Sequence, residues 1–465
     1  MRFIALLLCA LQSLALAQPI IIDGQHNDWP SQHASITDPA GDALGELDVI
    51  ELGGMSRDNI LYLRLRTTSP LNFVAGAQTN PDLRIVFQPD GGPMFELSAR
   101  GRQLVRRDTA QILTWDAVKY ASAPTFASDT YEFRLDLSSV GGIGPAGVTV
   151  WLEGSDTLES PLTIPAEKPD PGANPPRVTI TPESPASAAA IQPGTPAPIL
   201  ARHIRIASLN TYATGLLDSA RIPVFARLLR STDADIILIQ EEYNSNATQV
   251  AEFFNTHRPR PGGEAWNVHK RGDNAIISHY PVHPLPNHDA SYAAAVVITP
   301  RGPIVVLGIH PKCCGYIGSS EDLQRISQTQ RMEQLVTEVR SGQHNTAVDL
   351  RDAPVIIGGD WNLVGSRTPL DMLTEPQLSR MAELPMLSAG ADSSTWRALS
   401  GLGFPPGRLD LIVYDAVALT PTFSEVFDTA LLTAERLAAL GLEAADSRAS
   451  DHLMLIADFR FDQHP

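Results

Sequence analysis

The sequence predicts two folded units of different class, an N-terminal antiparallel β-sandwich over residues 18–164 and an α/β (α+β) unit over residues 199–465. Three observations carry that prediction. The chain has 465 residues, 43% hydrophobic and 19% charged, a globular composition that exceeds the roughly 100 to 200 residues of one domain. Ten prolines fall between Pro165 and Pro198, which marks residues 165–198 as a semi-extended linker. The hydrophobic period also changes across that stretch, from short alternating runs to apolar runs separated by helical spacing.

The chain opens with Met1-Arg2, an apolar run Phe3 to Leu11, and Ala15-Leu16-Ala17 before Gln18. A basic n-region, an h-region and an A-x-A site describe a secretory signal peptide over residues 1–17, and hence a secreted or periplasmic mature protein. The run is too short for a membrane core that needs about 20 residues, and no later run reaches that length, so no transmembrane segment is expected. Cys313 and Cys314 would then be the remaining thiols, which excludes a disulfide framework. As neighbours they can close on each other or stay reduced. A net charge of −17 excludes the whole molecule as an electrostatic sponge for phosphate backbones, so an anionic substrate calls for a local positive element such as a metal.

In the first unit, Ile60 to Leu65, Leu83 to Phe87 and Tyr131 to Leu135 alternate apolar and polar residues between Gly, Pro, Asn and Asp clusters, the pattern of half-buried strands. Its start carries Asp23-Gly24, Asp28-Trp29, Asp38-Pro39-Ala40-Gly41-Asp42 and Asp48. These resemble the beginning of β-sandwich modules related to family 9 carbohydrate-binding modules, and the resemblance implies a carbohydrate or other surface ligand. Trp29, Trp115 and Trp151 offer rings for sugar stacking, although packing is the ordinary role of a large aromatic. Asp38, Asp42 and Asp48 offer calcium ligands, against the commoner role of capping turns.

In the second unit, runs such as Ile204 to Leu209, Asp235 to Gln240, Ile304 to Ile309, Val355 to Ile357 and Leu453 to Phe459 read as strands. The clearest helix runs from about Glu321 to Arg340, with Ser319 or Ser320 as N-cap and Leu323, Ile326, Leu335, Val336 and Val339 towards one side. Several runs end in polar residues with no packing role: Asn210, Gln240-Glu241, His310 and Gly358-Gly359-Asp360-Trp361-Asn362. Arg408-Leu409-Asp410 and Ser450-Asp451-His452 precede two further runs. Taken in order, N, QE, H, GDxN, D and SDH resemble the endonuclease/exonuclease/phosphatase family of divalent-metal phosphohydrolases, over Ile204 to Phe461.

That resemblance implies a four-layer α/β sandwich and assigns roles. Glu241 and Asp451 are hard oxygen ligands for Mg2+ or Mn2+, with Ca2+ as a further option, and Asn210 adds a neutral oxygen or orients the cluster. Asp360 orients or deprotonates the attacking water, and Asn362 holds that water or a phosphate oxygen. Asp410 fixes the tautomer of His452, which contacts phosphate or serves as base. His310 matches a histidine of the deoxyribonuclease-like and sphingomyelinase-like branches, where it protonates the leaving oxygen. Lys312 suits a phosphate contact or plain solvation. Glu242 rivals Glu241, but Glu241 directly follows Gln240 as the QE signature requires. At one position the chain departs from the family pattern, with His279 where many relatives carry a phosphate-binding Arg.

The expected function is an exported divalent-metal-dependent phosphodiesterase, with nucleic acid as the leading substrate because the His310, Asp410 and His452 set suits diester cleavage. The alternatives are a sphingomyelinase-like lipid phosphodiesterase or a phosphomonoesterase, and, from another class, a non-catalytic carbohydrate-binding protein. No hydrophobic hairpin stands out, which weighs against the lipid option. The linker predicts that the two units are only loosely coupled.

Overall fold

The computed structural model of the chain describes residues 20–30, 33–41, 47–73, 82–99, 102–154, 156, 162–164, 203–287, 289–344, 348–375 and 380–462. The expected signal peptide, the Pro-rich stretch and Asp42 lie outside them. Among these residues no helix is long and apolar enough to cross a membrane.

Eleven strands build the first unit: β1 (Ala34–Thr37), β2 (Val49–Arg57), β3 (Ile60–Leu71), β4 (Leu83–Pro89), β5 (Phe95–Ser98), β6 (Gln103–Arg106), β7 (Gln111–Leu113), β8 (Ala121–Ala123), β9 (Ser128–Asp136), β10 (Val148–Gly154) and β11 (Leu162–Ile164). They form two sheets, β1-β2-β3-β9-β8 and β11-β10-β4-β5-β6-β7, with every pairing antiparallel. The period of two explains the core: Leu61, Leu63 and Leu65 of β3 turn inward against Leu83, Ile85 and Phe87 of β4. Trp29 and Trp115 are buried, and the Trp29 indole donates to Glu132 Oε1 at 2.6 Å. Only Trp151 of the three candidate platforms is partly accessible. Asp48 accepts the Gly41 N–H at 2.8 Å, a turn-capping bond.

The second unit contains β12 (His203–Asn210), α1 (Ile222–Ser231), β13 (Ile236–Gln240), α2 (Ala247–His257), β14 (Asn267–Arg271), β15 (Asn274–Ser278), β16 (Val282–Pro284), β17 (Tyr292–Thr299), β18 (Gly302–Ile309), α3 (Ser320–Arg340), β19 (Val355–Asp360), α4 (Thr368–Thr374), β20 (Met381–Glu383), β21 (Asp410–Asp415), β22 (Leu419–Phe427), α5 (Ala434–Leu440) and β23 (Met454–Phe461). Two mixed sheets result, β14-β15-β13-β12-β23-β22 and β16-β17-β18-β19-β21-β20, each with a parallel central pair. Ile206, Leu238 and Ile276 of one sheet meet Ala295, Val306 and Ile356 of the other. The opposite faces take the helices: Phe225 and Phe254 of α1 and α2 cover Ile237 and Ile239, and Leu335 and Val339 of α3 cover Leu307 and Ile357. The layers are therefore helix, sheet, sheet, helix.

One detail of α3 departs from the sequence reading. Ser319 is the N-cap, its Oγ accepting from the Asp322 N–H, but Leu323 is 59% exposed. The first half of the helix buries Asp322 and Arg325 instead. Arg325 donates to the carbonyls of Lys312 and Cys314 at 2.8 and 2.7 Å, and Asp322 accepts the Ser366 N–H at 2.9 Å. Satisfying otherwise unpaired loop backbone outweighs burying one more leucine.

The two units share an extended seam, contrary to the loose coupling expected of them. Ile22 bridges Asp392, Arg134 pairs with Asp392 at 2.8 Å, Asn72 bonds the Val364 carbonyl at 2.9 Å, and Thr125 Oγ1 donates to the Arg408 carbonyl at 2.8 Å.

Candidate active site

Strand parity builds the site. In β12, Ile204 and Ile206 point between the sheets, so Ser208 and Asn210 follow them; Leu209 turns to the helices. The same count carries His310 beyond Ile304 and Val306, Asp360 beyond Ile356, and Asp410 back from Ile412. All four side chains thus converge at one end of the inter-sheet layer. Space for them comes from Gly308 and Gly358, where a Cβ on Gly358 would lie 2.8 Å from Leu238 Cδ1 of the opposite sheet. Gly359 is at φ +147°, and a Cβ there would sit 2.1 Å from the Ile309 carbonyl oxygen.

Two sharp backbone turns add Glu241 and Asn362. Glu241 (φ 64°) and Asn362 (φ 52°) occupy the left-handed region, a conformation that costs about 1 to 3 kcal/mol in a non-glycine residue and concentrates at functional sites. Glu241 Oε1 accepts from Asn210 Nδ2 at 3.1 Å and Oε2 from the Ala213 N–H at 2.9 Å. Its rival Glu242 is fully buried, accepting from Thr211 Oγ1 and the Leu216 N–H, and stays out of the cluster.

Asp360 is the hub. It accepts from Asn210 Nδ2 at 3.1 Å and from the Asn362 N–H at 3.0 Å. His310 Nε2 lies 3.5 Å away and His452 Nε2 3.6 Å. Asn362 Nδ2 is anchored on the Pro311 carbonyl at 3.2 Å. The Asn210 amide nitrogen faces the carboxylates while its Oδ1 accepts the Tyr212 N–H at 2.9 Å.

Each imidazole is backed by a carboxylate. Asp410 Oδ2 bonds His452 Nδ1 at 2.8 Å, and Asp273 Oδ2 bonds His310 Nδ1 at 2.5 Å. Burial pulls both imidazoles down in pKa, but the charges of Asp410 and Asp360 raise His452 to about 10. The Asp273 hydrogen bond, with the charge of Asp360, raises His310 to about 9. Burial pushes Asp360 up to about 6 against the pull of His452. It also raises Asp451, with the Glu241 charge adding to the rise.

Asp273 escaped the sequence reading because it sits in an Arg271-Gly272-Asp273-Asn274 turn, where a polar residue needs no further explanation. Lys312 lies at the rim of a cleft of ≈ 510 Å³ bounded by Glu241, Tyr243, Asp273, His310 and Arg331. His279 lies at the far end of its strand beside Asp235, at 3.3 Å, away from the cluster. Cys313 and Cys314 are free thiols with sulfurs 2.7 Å apart. Leu399, Leu402 and Phe404 are each 44% exposed on a loop next to Trp396, an apolar group hidden in the sequence by intervening Ser400, Gly401 and Gly403.

The donor set suits a hard divalent cation. Glu241, His310 and Asp360 offer atoms within 4.8 Å of one another, as do Asp360, Asp410 and His452. Five carboxylates (Glu241, Asp273, Asp360, Asp410, Asp451) outnumber two imidazoles, so a cation relieves a net negative cluster. Among the described residues, Asp410 Oδ1 and Asp451 Oδ1 are buried with no hydrogen-bond partner.

Residues 207–452 match the Endonuclease/Exonuclease/phosphatase family, a span that includes every group above. No curated protein matches the chain. Solved structures with similar architecture include D. rerio TDP2 complexed with a single strand DNA product, at 16% identity over 56% of this chain and 99% of that one, with a TM-score of 0.36. A family protein from Bacteroides thetaiotaomicron is 17% identical over 56% of this chain and 98% of that chain, TM-score 0.37. The human Nocturnin catalytic domain with bound sulfate is 17% identical over 57% and 96%, TM-score 0.35.

Proposed function

This chain belongs to the Endonuclease/Exonuclease/phosphatase family of metal-dependent phosphoric ester hydrolases, and from that premise we propose that it cleaves phosphodiester bonds, with nucleic acid as substrate. One observation carries the reading: two imidazole Nε2 atoms, each with a carboxylate behind it, face the same buried Asp360 at 3.5 and 3.6 Å. A diester needs both an activated water and a protonated leaving oxygen, and this arrangement supplies a base flanked by two proton donors.

Glu241 and Asp451 would hold the cation, with Asn210 orienting Glu241, and a bound Mg2+ or Mn2+ supplies charge neutralisation at the phosphate. Asp360, lifted towards neutrality by burial, accepts the proton of the attacking water. The upward shifts of both imidazoles favour Asp360 over His452 as that base. His452 presents Nε2–H to a phosphate oxygen while Asp410 keeps its Nδ1 proton in place. His310 gives its Nε2 proton to the departing oxygen, and Lys312 at the cleft rim meets the substrate phosphate.

A second reading, a lipid phosphodiesterase, is favoured by exposed Leu399, Leu402 and Phe404 beside the site. For the first domain we carry forward a carbohydrate or other surface ligand, with Trp151 as its accessible ring, and for the mature protein an extracytoplasmic location. The deciding experiment offers the protein, with Mg2+, Mn2+ or Ca2+, single- and double-stranded DNA, RNA, sphingomyelin vesicles, and chromogenic mono- and diesters. Hydrolysis of nucleic acid well above the other substrates supports the first reading; turnover confined to vesicles selects the second.

A further inference from the structure

The loop 396–407 joins the active site to the first domain. At its base Trp396 pairs with Gly407, and Trp396 also bridges His452. The Trp396 indole donates to Asp451 Oδ2 at 3.0 Å, and the Arg397 N–H bonds the Asp451 carbonyl at 2.8 Å. Thr395, immediately before the loop, accepts the N–H groups of both Leu409 and Asp410 on its Oγ1 at 2.9 Å. Its carbonyl accepts the Leu453 N–H at 2.6 Å. The base of this loop therefore orients one carboxylate of the candidate cation site and the carboxylate behind His452.

The tip is held by the other unit. The Trp115 N–H donates to the Gly401 carbonyl at 2.9 Å and its indole to the Gly403 carbonyl at 3.2 Å. The Arg102 guanidinium lies 3.7 Å from the centre of the Phe404 ring, within cation–π range, and Phe404 meets Trp396 edge to face at 6.4 Å. Two glycines record the closeness of the fit. A Cβ on Gly407 would lie 2.3 Å from Thr125 Cγ2, and Gly401, at φ +68°, would place one 3.1 Å from Thr114 Cβ.

We propose that the first domain is a positioning element of the catalytic centre: by gripping the tip of loop 396–407 through Arg102 and Trp115, it sets the position of Trp396 and through it Asp451 and Asp410. A loop of this length with Gly401, Gly403 and Gly407 loses much conformational entropy on ordering, and its contacts with Arg102 and Trp115 of the first domain offset that cost. Arg102, Trp115 and Phe404 touch no reacting group, and their effect passes through a hydrogen bond to a ligand, as outer-shell residues act in metal sites. The inference rests on the assignment of Asp451 as a cation ligand.

The test uses the full-length protein carrying Arg102→Ala, Phe404→Ala or Trp115→Phe, the last keeping an aromatic ring while removing the indole donor. Mn2+ titration by electron paramagnetic resonance reports the cation site. Hydrogen exchange at the amides of Leu409, Asp410 and Leu453 reports the loop base. Mn2+ affinity should fall about 3- to 10-fold in the three variants, less than the roughly 10- to 100-fold expected of Trp396→Phe. Exchange at those three amides should quicken while β13 keeps its protection, and kcat should fall more than KM rises. Unchanged affinity and unchanged exchange in both Phe404→Ala and Trp115→Phe would overturn the proposal. If the wild type binds no Mn2+, the cation-ligand reading fails instead, and the exchange data alone decide whether the first domain orders the loop.

Discussion

Replacing Asp273 by Asn leaves a side chain of the same shape but removes the charge behind His310. That imidazole is raised to about 9 despite burial, with the Asp273 hydrogen bond the largest raising contribution. Without it the imidazole loses its largest raising contribution while burial still lowers it, so the pKa should fall to about the ordinary 6.5. That is about 3 kcal/mol between protonation states, at about 1.4 kcal/mol per pKa unit. The sign follows from the role: a proton donor works only when protonated, so activity declines as pH rises through its pKa. At pH 8 the protonated fraction should drop about 30-fold, and at pH 6 hardly at all. The assay is kcat/KM from pH 5.5 to 9.5 for two diesters, one with an alkoxide leaving group and one with 4-nitrophenolate, which departs without protonation. The basic limb should shift to lower pH with the first substrate and the loss should largely vanish with the second. An equal loss on both substrates, with the limb unmoved, would refute the assignment of His310 as leaving-group acid.

Chelation should abolish activity and Mg2+ or Mn2+ restore it, with Asp360→Asn or His452→Ala each costing about 10²- to 10⁴-fold in kcat; full activity in excess chelator would defeat this. Gly359→Ala should destabilise the protein by roughly 3 kcal/mol or more, read as Tm, because a Cβ would run into the Ile309 carbonyl at a strained φ. Glu132, fully buried and raised by burial to about 8, binds its proton more tightly folded than unfolded. Its stability contribution is therefore complete below about pH 4.5 and lost as pH rises through 8, so Tm should fall over that window in the wild type and less in Glu132→Gln. From Ala201 onward the chain has 22 Lys+Arg and 30 Asp+Glu, or 22 − 30 = −8. Affinity of Asp360→Asn for DNA should therefore depend weakly on monovalent salt, with a log-log slope of about −1 to −3; a slope beyond about −5 would point to a basic groove.

The catalytic fold was legible because its central strands are apolar runs with polar residues at their ends. A strand that is buried on both faces advertises its limits, and Asn210, His310, Asp360 and Asp410 stand at those limits. The short outer strands β14, β16 and β20 carry no such signal, since three to five residues cannot establish a period. Asp273 was illegible because its partner is 37 residues away and its own surroundings read as a turn. The coupling of the two units was concealed by the prolines between them, which describe the joining chain and say nothing of contacts made elsewhere. Leu323 misled because periodicity assumes that helices bury apolar residues, and α3 spends its first turns holding loop backbone with Arg325.

Asp273 belongs to the hairpin of one sheet and His310 to a strand of the other; Asp410 and His452 are likewise split, as are Asn210 and Asp360. These three pairs therefore span the gap between layers and act as gauges of its width. A methylene group added deep in that gap, at Ala295 for instance, would lengthen several of these bonds together while leaving each residue's own strand undisturbed. Rate in such an enzyme responds to interior volume as well as to the identity of the groups at the mouth, and lesions well away from the chemistry would present as catalytic ones.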